Sequence, residues 1–310
     1  MLINTPGSGK TRLVLDGLCR HWGFYFAAVR DASGIGSGDF WTAMQQLDDS
    51  LDYGLAERTK DSDAMQHTKR KAHHRLMQLL LARFILLKLL IQEARKLPGG
   101  LHVKNHRRAW VLLQVQPLDV FGEDIFHSLT TLLQYESIID LETDIQAHYK
   151  DLEDILEPSI NPATGKQEKT PIYCVVDESQ VLISTRKFIS DNSVTERPFR
   201  MRQIFLSFTE ILPSKEMVVI FSGTSLDTQP LVESLASQAL KFHPYDIVRY
   251  IGGFEDRDSQ ARYIRRYLKV DWTRPNWISF LDRAWGWCRG RYQWNLFRQF
   301  DPSFICYQIS

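Results

Sequence analysis

Residues Thr5-Pro6-Gly7-Ser8-Gly9-Lys10-Thr11 gather glycines, an amine and a hydroxyl into one short stretch, set between the apolar Met1-Leu2-Ile3 and an amphipathic segment. Those residue types suit the wrapping of a polyanion. Gly7 and Gly9 allow the backbone to turn its N–H groups inward, Lys10 reaches the β/γ oxygens of a triphosphate, and the Thr11 hydroxyl is a ligand for Mg²⁺. A helix that starts there adds the positive end of its dipole. The predicted phosphate contacts are Pro6, Gly7, Ser8, Gly9, Lys10, Thr11 and Arg12. Asn4 stands where the full pattern has glycine, and asparagine is the non-glycine residue that best tolerates a left-handed backbone. A Gly-Ser turn with a solvated lysine is the alternative reading of this stretch alone.

A second stretch, Ile172-Tyr173-Cys174-Val175-Val176-Asp177-Glu178, is a continuous apolar run that ends in adjacent carboxylates. That is how a buried parallel strand presents acids at its C-terminal edge, where ligands bind in open α/β sheets. Asp177 is the predicted magnesium ligand together with Thr11, and Glu178 the predicted base that polarises an attacking water. An acid pair that merely caps the next helix is the alternative; the two motifs in this order favour a nucleotide site. A third run, Val218-Val219-Ile220-Phe221-Ser222-Gly223-Thr224-Ser225, ends in small hydroxyl residues. Beside the acid strand, Ser222 or Thr224 would sense the γ-phosphate or the water. A plain Ser-Gly-Thr turn is the competing reading.

Arginines are the remaining candidates. Arg289 and Arg291 flank Gly290 in a Trp-rich helical stretch and are placed to reach phosphates from a lid. Arg197, Arg200 and Arg202 read first as surface residues, with a reach to the γ-phosphate of a neighbouring subunit as the alternative. His106-Arg107-Arg108 and His127 read as solvated helix positions before they read as nucleic-acid contacts.

These residues need a scaffold, and the composition supplies one. The chain has 310 residues, 44% hydrophobic and 24% charged, which is globular and large enough for one big domain or two ordinary ones. A formal charge of +1 gives no long-range pull toward nucleic acid or an anionic membrane. Cys19, Cys174, Cys288 and Cys306 are far apart and form no C-x-x-C pair, which points to a reducing, intracellular setting in cytoplasm or nucleus, with a secreted effector as the alternative if an upstream header exists. The most apolar stretch, Leu76 to Ile91, contains Gln78, Arg83 and Lys88 and reads as a buried helix rather than a membrane span. The short first strand suggests that an upstream part of a parent protein precedes it.

Along the chain, Leu13, Leu15, Leu18, Cys19 and Trp22 predict a helix of about three turns after the loop, ended by Gly23. Phe24 to Val29 predicts a second buried strand. Gly34-Ile35-Gly36-Ser37-Gly38-Asp39 has a superficial likeness to a dinucleotide fingerprint but reads as a flexible loop. From Asp39 to about Lys150 helices dominate: a polar, exposed excursion over 49–71, then a helix over 71–97 on the order of 40 Å long, apolar nearly all round. The segment that Asn105 can cap, with Trp110, Val111, Leu112 and Leu113 apolar and its end before Pro117, fits helix or strand; residues 125–133 fit one helical face, and 161–166 reads as a hairpin tip. A last strand is expected near Tyr245 to Ile251, then amphipathic helices around Gln260 to Tyr267 and from Trp277 to Phe300.

Taken together, TPGSGKTRLVLDGLCRHWGFYF, the Leu-rich helix, YCVVDESQ, VIFSGTSL, GGFEDRDSQARYIRRYL and CRGRYQW resemble the P-loop NTPase domain of Crinkler-type proteins of fungi and oomycetes. The resemblance spans nearly the whole chain and fades after Arg291. It implies an additional-strand, AAA-like or STAND-like α/β core on a parallel sheet. It also implies a phosphate and metal site from Gly7, Gly9, Lys10 and Thr11, an acid pair from Asp177 and Glu178, a first sensor from Thr224 or Ser222, and a second from Arg289 or Arg291. Such proteins carry trafficking and effector domains, and no acid-acid-lysine nuclease constellation is visible here.

The expected division is a P-loop core over 1–250, with a large helical insertion at about 40–150, and a C-terminal helical lid over 251–310. The expected activity is Mg²⁺-dependent hydrolysis of ATP or another nucleoside triphosphate, powering or gating a larger effector-type protein, with Lys10, Asp177, Glu178, Thr224, Arg289 and Arg291 as the working residues. The alternatives are a nucleotide-gated interaction module and a degenerate domain with little hydrolysis. Homo-oligomerisation or an associated effector domain fits each, nucleic acid stays open, and no membrane partner is expected.

Overall fold

The computed structural model describes residues 2–4, 9–30, 34–49, 62–98, 100, 105–156, 159–160, 167–182, 208, 210–213, 217–224, 248, 256–267 and 271–288. Within them the chain is a mixed α/β protein, mostly helical, built on a small parallel sheet. Strand β1 (Leu2–Asn4) leads to helix α1 (Lys10–Leu18), and β2 (Gly23–Ala27) follows. Helices α2 (Asp39–Asp49), α3 (Ser62–Lys96), α4 (Asn105–Val115), α5 (Pro117–Phe121), α6 (Ile125–Leu132) and α7 (Ile138–Ile155) come next. A two-stranded antiparallel pair, β3 (Ser159–Ile160) and β4 (Gln167–Glu168), flanks the predicted hairpin tip. Then come β5 (Tyr173–Asp177), β6 (Val218–Thr224), α8 (Arg257–Tyr267) and α9 (Pro275–Cys288).

The main sheet runs in the order β1-β6-β5-β2, every pair parallel. Val248 adds a parallel bridge to Leu2 on the free side of β1, inside the segment where the sequence predicts a last strand. Parallel strands covered on both faces must be apolar throughout, and every residue of β2 is buried. Alternation sends Phe24, Phe26, Cys174, Val176 and Phe221 to one face, and Tyr25, Ala27, Val175 and Ile220 to the other.

The first face carries the large core. Leu76, Leu79, Leu80, Phe84, Leu87 and Ile91 of α3 are all 0% exposed, which accounts for a helix apolar nearly all round. Helices α2, α6 and α7 close over α3. The helix begins at Ser62 rather than near Lys71: its polar first turns hold no breaker, and Lys69 there pairs with Glu210 at 2.9 Å. What reads in sequence as an excursion over 49–71 is, from Ser62 onward, the wet end of α3. Buried beneath these helices, Arg83 forks onto both oxygens of Asp39 at the start of α2 and lies between the rings of Phe26 and Phe126, at 4.5 and 4.6 Å.

On the second face, Val14 and Leu18 of α1 and Val111 of α4 cover Tyr25, Ala27 and Val175. Helix α4 also finishes the open edge of β2. The Trp110 indole donates to the Gly23 carbonyl at 2.7 Å, and the Gln114 side chain accepts from the Tyr25 amide at 2.8 Å. An edge strand thereby gets partners without a further strand. At the start of α4, Arg107 donates to the Arg20 carbonyl at 2.8 Å and stacks over Trp22, so one member of the basic cluster is used within the fold.

Gly23 does not end α1, which is capped by Cys19. It opens β2 because a Cβ there would stand 2.5 Å from the Tyr173 carbonyl oxygen and 2.6 Å from a Leu18 methyl. The glycine-rich link is likewise no free loop. The Gly36 amide donates to Val115, Ser37 and Gly38 donate to Asp124, and the Asp39 amide donates to Ser37. Helices α8 and α9 pack on each other through Ala261, Ile264, Phe280 and Leu281, with Trp272 and Trp277 against them. Among the described residues no helix is long and apolar enough to cross a membrane.

Candidate functional site

Register gathers the candidate residues at one edge of the sheet. Asn4, Asp177 and Thr224 are the last residues of β1, β5 and β6, and all three strands point the same way. In a parallel sheet that edge is where strands release the chain into loops and where ligands bind. Strand β6 lies between the strand that feeds the glycine loop and the strand that carries the acids.

Gly9 caps α1 in the left-handed region, with φ 85°, a conformation that favours glycine. Gly9 as N-cap has no side chain to cap this helix end and no acid lies in its first turn, so the positive end of the dipole is unopposed by the helix's own residues. Lys10, the first helical residue, is 5% exposed. Burial lowers its affinity for a proton, and the Glu178 and Asp177 carboxylates, acting on the ammonium through space, pull in the opposite direction. The structure therefore brings the amine of the glycine loop and the acid pair of β5 within electrostatic reach. Thr11 follows in the same turn, half-buried, whereas Arg12 is turned to solvent and pairs with Asp16 at 3.7 Å. Pro6, Gly7, Ser8, Arg289 and Arg291, like Arg197, Arg200 and Arg202, lie outside the described residues.

Asp177 is 1% exposed. Its Oδ2 accepts from the Tyr25 hydroxyl at 3.1 Å, and its Oδ1 is buried without a hydrogen-bond partner. Buried carboxylate oxygens are ordinarily satisfied, so an orphaned one fits a site for a cation or its water shell. Ser222 repeats the pattern: it is fully buried, its Oγ has no partner, and its register puts it beside Asp177 on the same face. The Ser222 carbonyl accepts from Ser179 Oγ at 2.8 Å, which ties the exit of β5 to β6.

Glu178 has φ 55°, the left-handed region, and is the only non-glycine residue there among those described. Side chains rarely adopt it, at a cost on the order of 1–3 kcal/mol, and such residues cluster at functional sites. Gln180 donates from its amide to Glu178 Oε2 and orients the carboxylate. Among the described residues no three His, Cys, Asp or Glu side chains converge as a self-sufficient metal cage. One carboxylate and one hydroxyl are what a cation shared with phosphate oxygens and water would need.

Tyr25, Gln180 and Gln114 are the residues that sequence reasoning passes over. Tyr25 carried a signal: a phenol inside an apolar run that must be buried needs a hydroxyl partner. A separate cavity of about 470 Å³, lined by residues including Tyr149, Lys150, Glu153 and Lys169, shares no residue with this site, and its Lys169 and Glu153 pair at 2.9 Å. No protein-family model, no curated protein and no solved structure matches the chain.

Proposed function

We propose that this chain binds a nucleoside triphosphate with Mg²⁺ at the β1–α1 turn and hydrolyses it, as a P-loop NTPase of the additional-strand type. The observation that carries the reading is Lys10: an amine 5% exposed at a helix start whose N-cap is Gly9, within electrostatic reach of Asp177 and Glu178 at the C-terminal edge of a parallel sheet. A buried amine beside two acids at this sheet edge stands where phosphate oxygens and a cation would meet. The strand order, with β6 inserted between β1 and β5, supports the same reading. So does the resemblance of the motifs to Crinkler-type NTPase domains.

In this account Lys10 and the α1 N-terminus bind the phosphate oxygens. Thr11 and Asp177 hold the magnesium, which when bound neutralises charge on the β- and γ-oxygens. Glu178 orients a water and takes its proton as the water oxygen bonds to the γ-phosphorus and the bond to the β-phosphate oxygen breaks. Ser222, with Thr224 at the strand end, reports the γ-phosphate to β6. Helices α8 and α9 would serve as a lid, with Arg289 or Arg291 adding positive charge.

Replacing Glu178 by Gln keeps shape and removes the base. Turnover, followed as phosphate release, should fall about 10²- to 10⁴-fold while Mg-nucleotide affinity is kept. Undiminished turnover would remove Glu178 from the mechanism. A second reading, a nucleotide-gated interaction module, is favoured by one contact: Gln180 occupies an oxygen of Glu178. It predicts negligible turnover that rises in Gln180→Ala.

A further inference from the structure

Tyr25 stands out among the buried polar groups because its hydroxyl is spent on the acid. It is 2% exposed on β2, opposite Val175, while Ala27 is opposite Asp177, so the phenol reaches diagonally across the strand pair on one face. Its hydroxyl donates to Asp177 Oδ2 at 3.1 Å, and Asp177 Oδ1 keeps no partner. A carboxylate is rigid, so holding one oxygen fixes where the other stands.

Tyr25 is itself held from two sides. Its amide donates to Gln114 Oε1 at 2.8 Å, which fixes the backbone beneath it. Gly36, at φ 95°, lies so close that a Cβ there would come 3.2 Å from the Tyr25 ring and 2.7 Å from Ala27 Cβ. The Gly36 amide is bonded to Val115, and Ser37 and Gly38 are bonded to Asp124. The glycine-rich link therefore acts as a wall against the phenol ring.

We infer that Tyr25 is a positioning residue for the metal, holding Asp177 Oδ2 so that Oδ1 is left to Mg²⁺ or to its water, with the 34–38 loop keeping the phenol in place. This rests on the nucleotide-site reading above. Partners that orient a metal-ligating side chain typically change metal affinity about 10- to 100-fold when removed.

The test uses the full chain with Mn²⁺ as the metal probe, titrated by electron paramagnetic resonance in the presence of a non-hydrolysable ATP analogue. Tyr25→Phe should weaken Mn²⁺ about 10-fold. Nucleotide affinity in EDTA should be unchanged, and excess Mg²⁺ should restore kcat. Trp110→Phe removes a donor to the same strand edge without touching Asp177, and should keep wild-type Mn²⁺ affinity whatever it does to the melting temperature. If Tyr25→Phe does not fold, Gly36→Ala, which presses on the ring and keeps every polar group, should weaken Mn²⁺ in its place. Wild-type Mn²⁺ affinity in the folded Tyr25→Phe protein, or in Gly36→Ala where that variant stands in, overturns the inference. Equal weakening in Trp110→Phe also overturns it. A wild-type chain that takes up no Mn²⁺ with the analogue overturns the nucleotide-site reading itself, and the positioning role with it.

Discussion

Lys10 carries an electrostatic conflict that a ligand would resolve. Burial makes its ammonium easier to deprotonate than a solvated lysine, and the attraction of Glu178 and Asp177 offsets only part of that. A triphosphate brought to the helix start adds negative charge and raises the proton affinity again. Binding should therefore take up protons at pH values below the ordinary lysine value of 10.5 at which the free protein's Lys10 is partly deprotonated. Calorimetric titrations with nucleotide in buffers of different ionisation heat would read this directly; a binding heat independent of buffer at alkaline pH would contradict it. Motif chemistry in the sequence singles out Lys10, Asp177 and Glu178, and the fold brings them within electrostatic reach of one another. What was not legible was how each is held. Tyr25 and Gln180 act through contacts across strands or around a left-handed turn, and no local spacing encodes those.

Elements were read well where periodicity was long and poorly where packing overrode local signals. The β5 and β6 runs became the strands expected of them, because a continuous apolar run can only be buried on both faces. Gly23 misled: glycine reads as a helix stop, yet here it is needed for close approach of α1 and β5 to β2. The Gly34–Asp39 link misled for a related reason, since its anchors, Val115, Asp124 and Arg83, are distant in sequence. The Arg83–Asp39 pair sets the strength of that anchor, with both side chains all but fully buried. Arg83→Met would leave a buried carboxylate without its partner, at about 3–5 kcal/mol in urea unfolding. Arg83→Met combined with Asp39→Asn should recover much of the loss. A double variant no better than the single one would mean that packing of the guanidinium between Phe26 and Phe126, not the charge pair, holds the loop.

At the scale of the whole molecule, the four-stranded sheet separates a large helical core from a smaller face that carries Asp177 and Ser222. Stability of that core should depend on pH. Burial is the main cause of lowered proton affinity at both His73 and His148, and His148 Nδ1 is buried without a partner. Their neutral forms belong to the folded state, so their contribution is complete above the ordinary value of 6.5 and is lost as pH falls through their lower folded values. Melting temperature should drop as pH falls below about 6.5, and His148→Gln should flatten that drop. An unchanged slope would assign it to other groups. Sequence gave no access to this layer, because which histidines are covered depends on how α7 and α3 pack. A triphosphate site shared by the glycine loop and the acid strand tip stands or falls with nucleotide binding that needs Lys10. Titration calorimetry of the full chain with Mg-ATP and Mg-GTP, repeated on Lys10→Met, tests it most directly. Wild-type binding should be saturable and Mg²⁺-dependent, and should weaken about 10- to 100-fold or more in Lys10→Met, as expected when hydrogen bonds from a charged group are lost. Absence of binding by the wild type, or equal affinity in Lys10→Met, would contradict it.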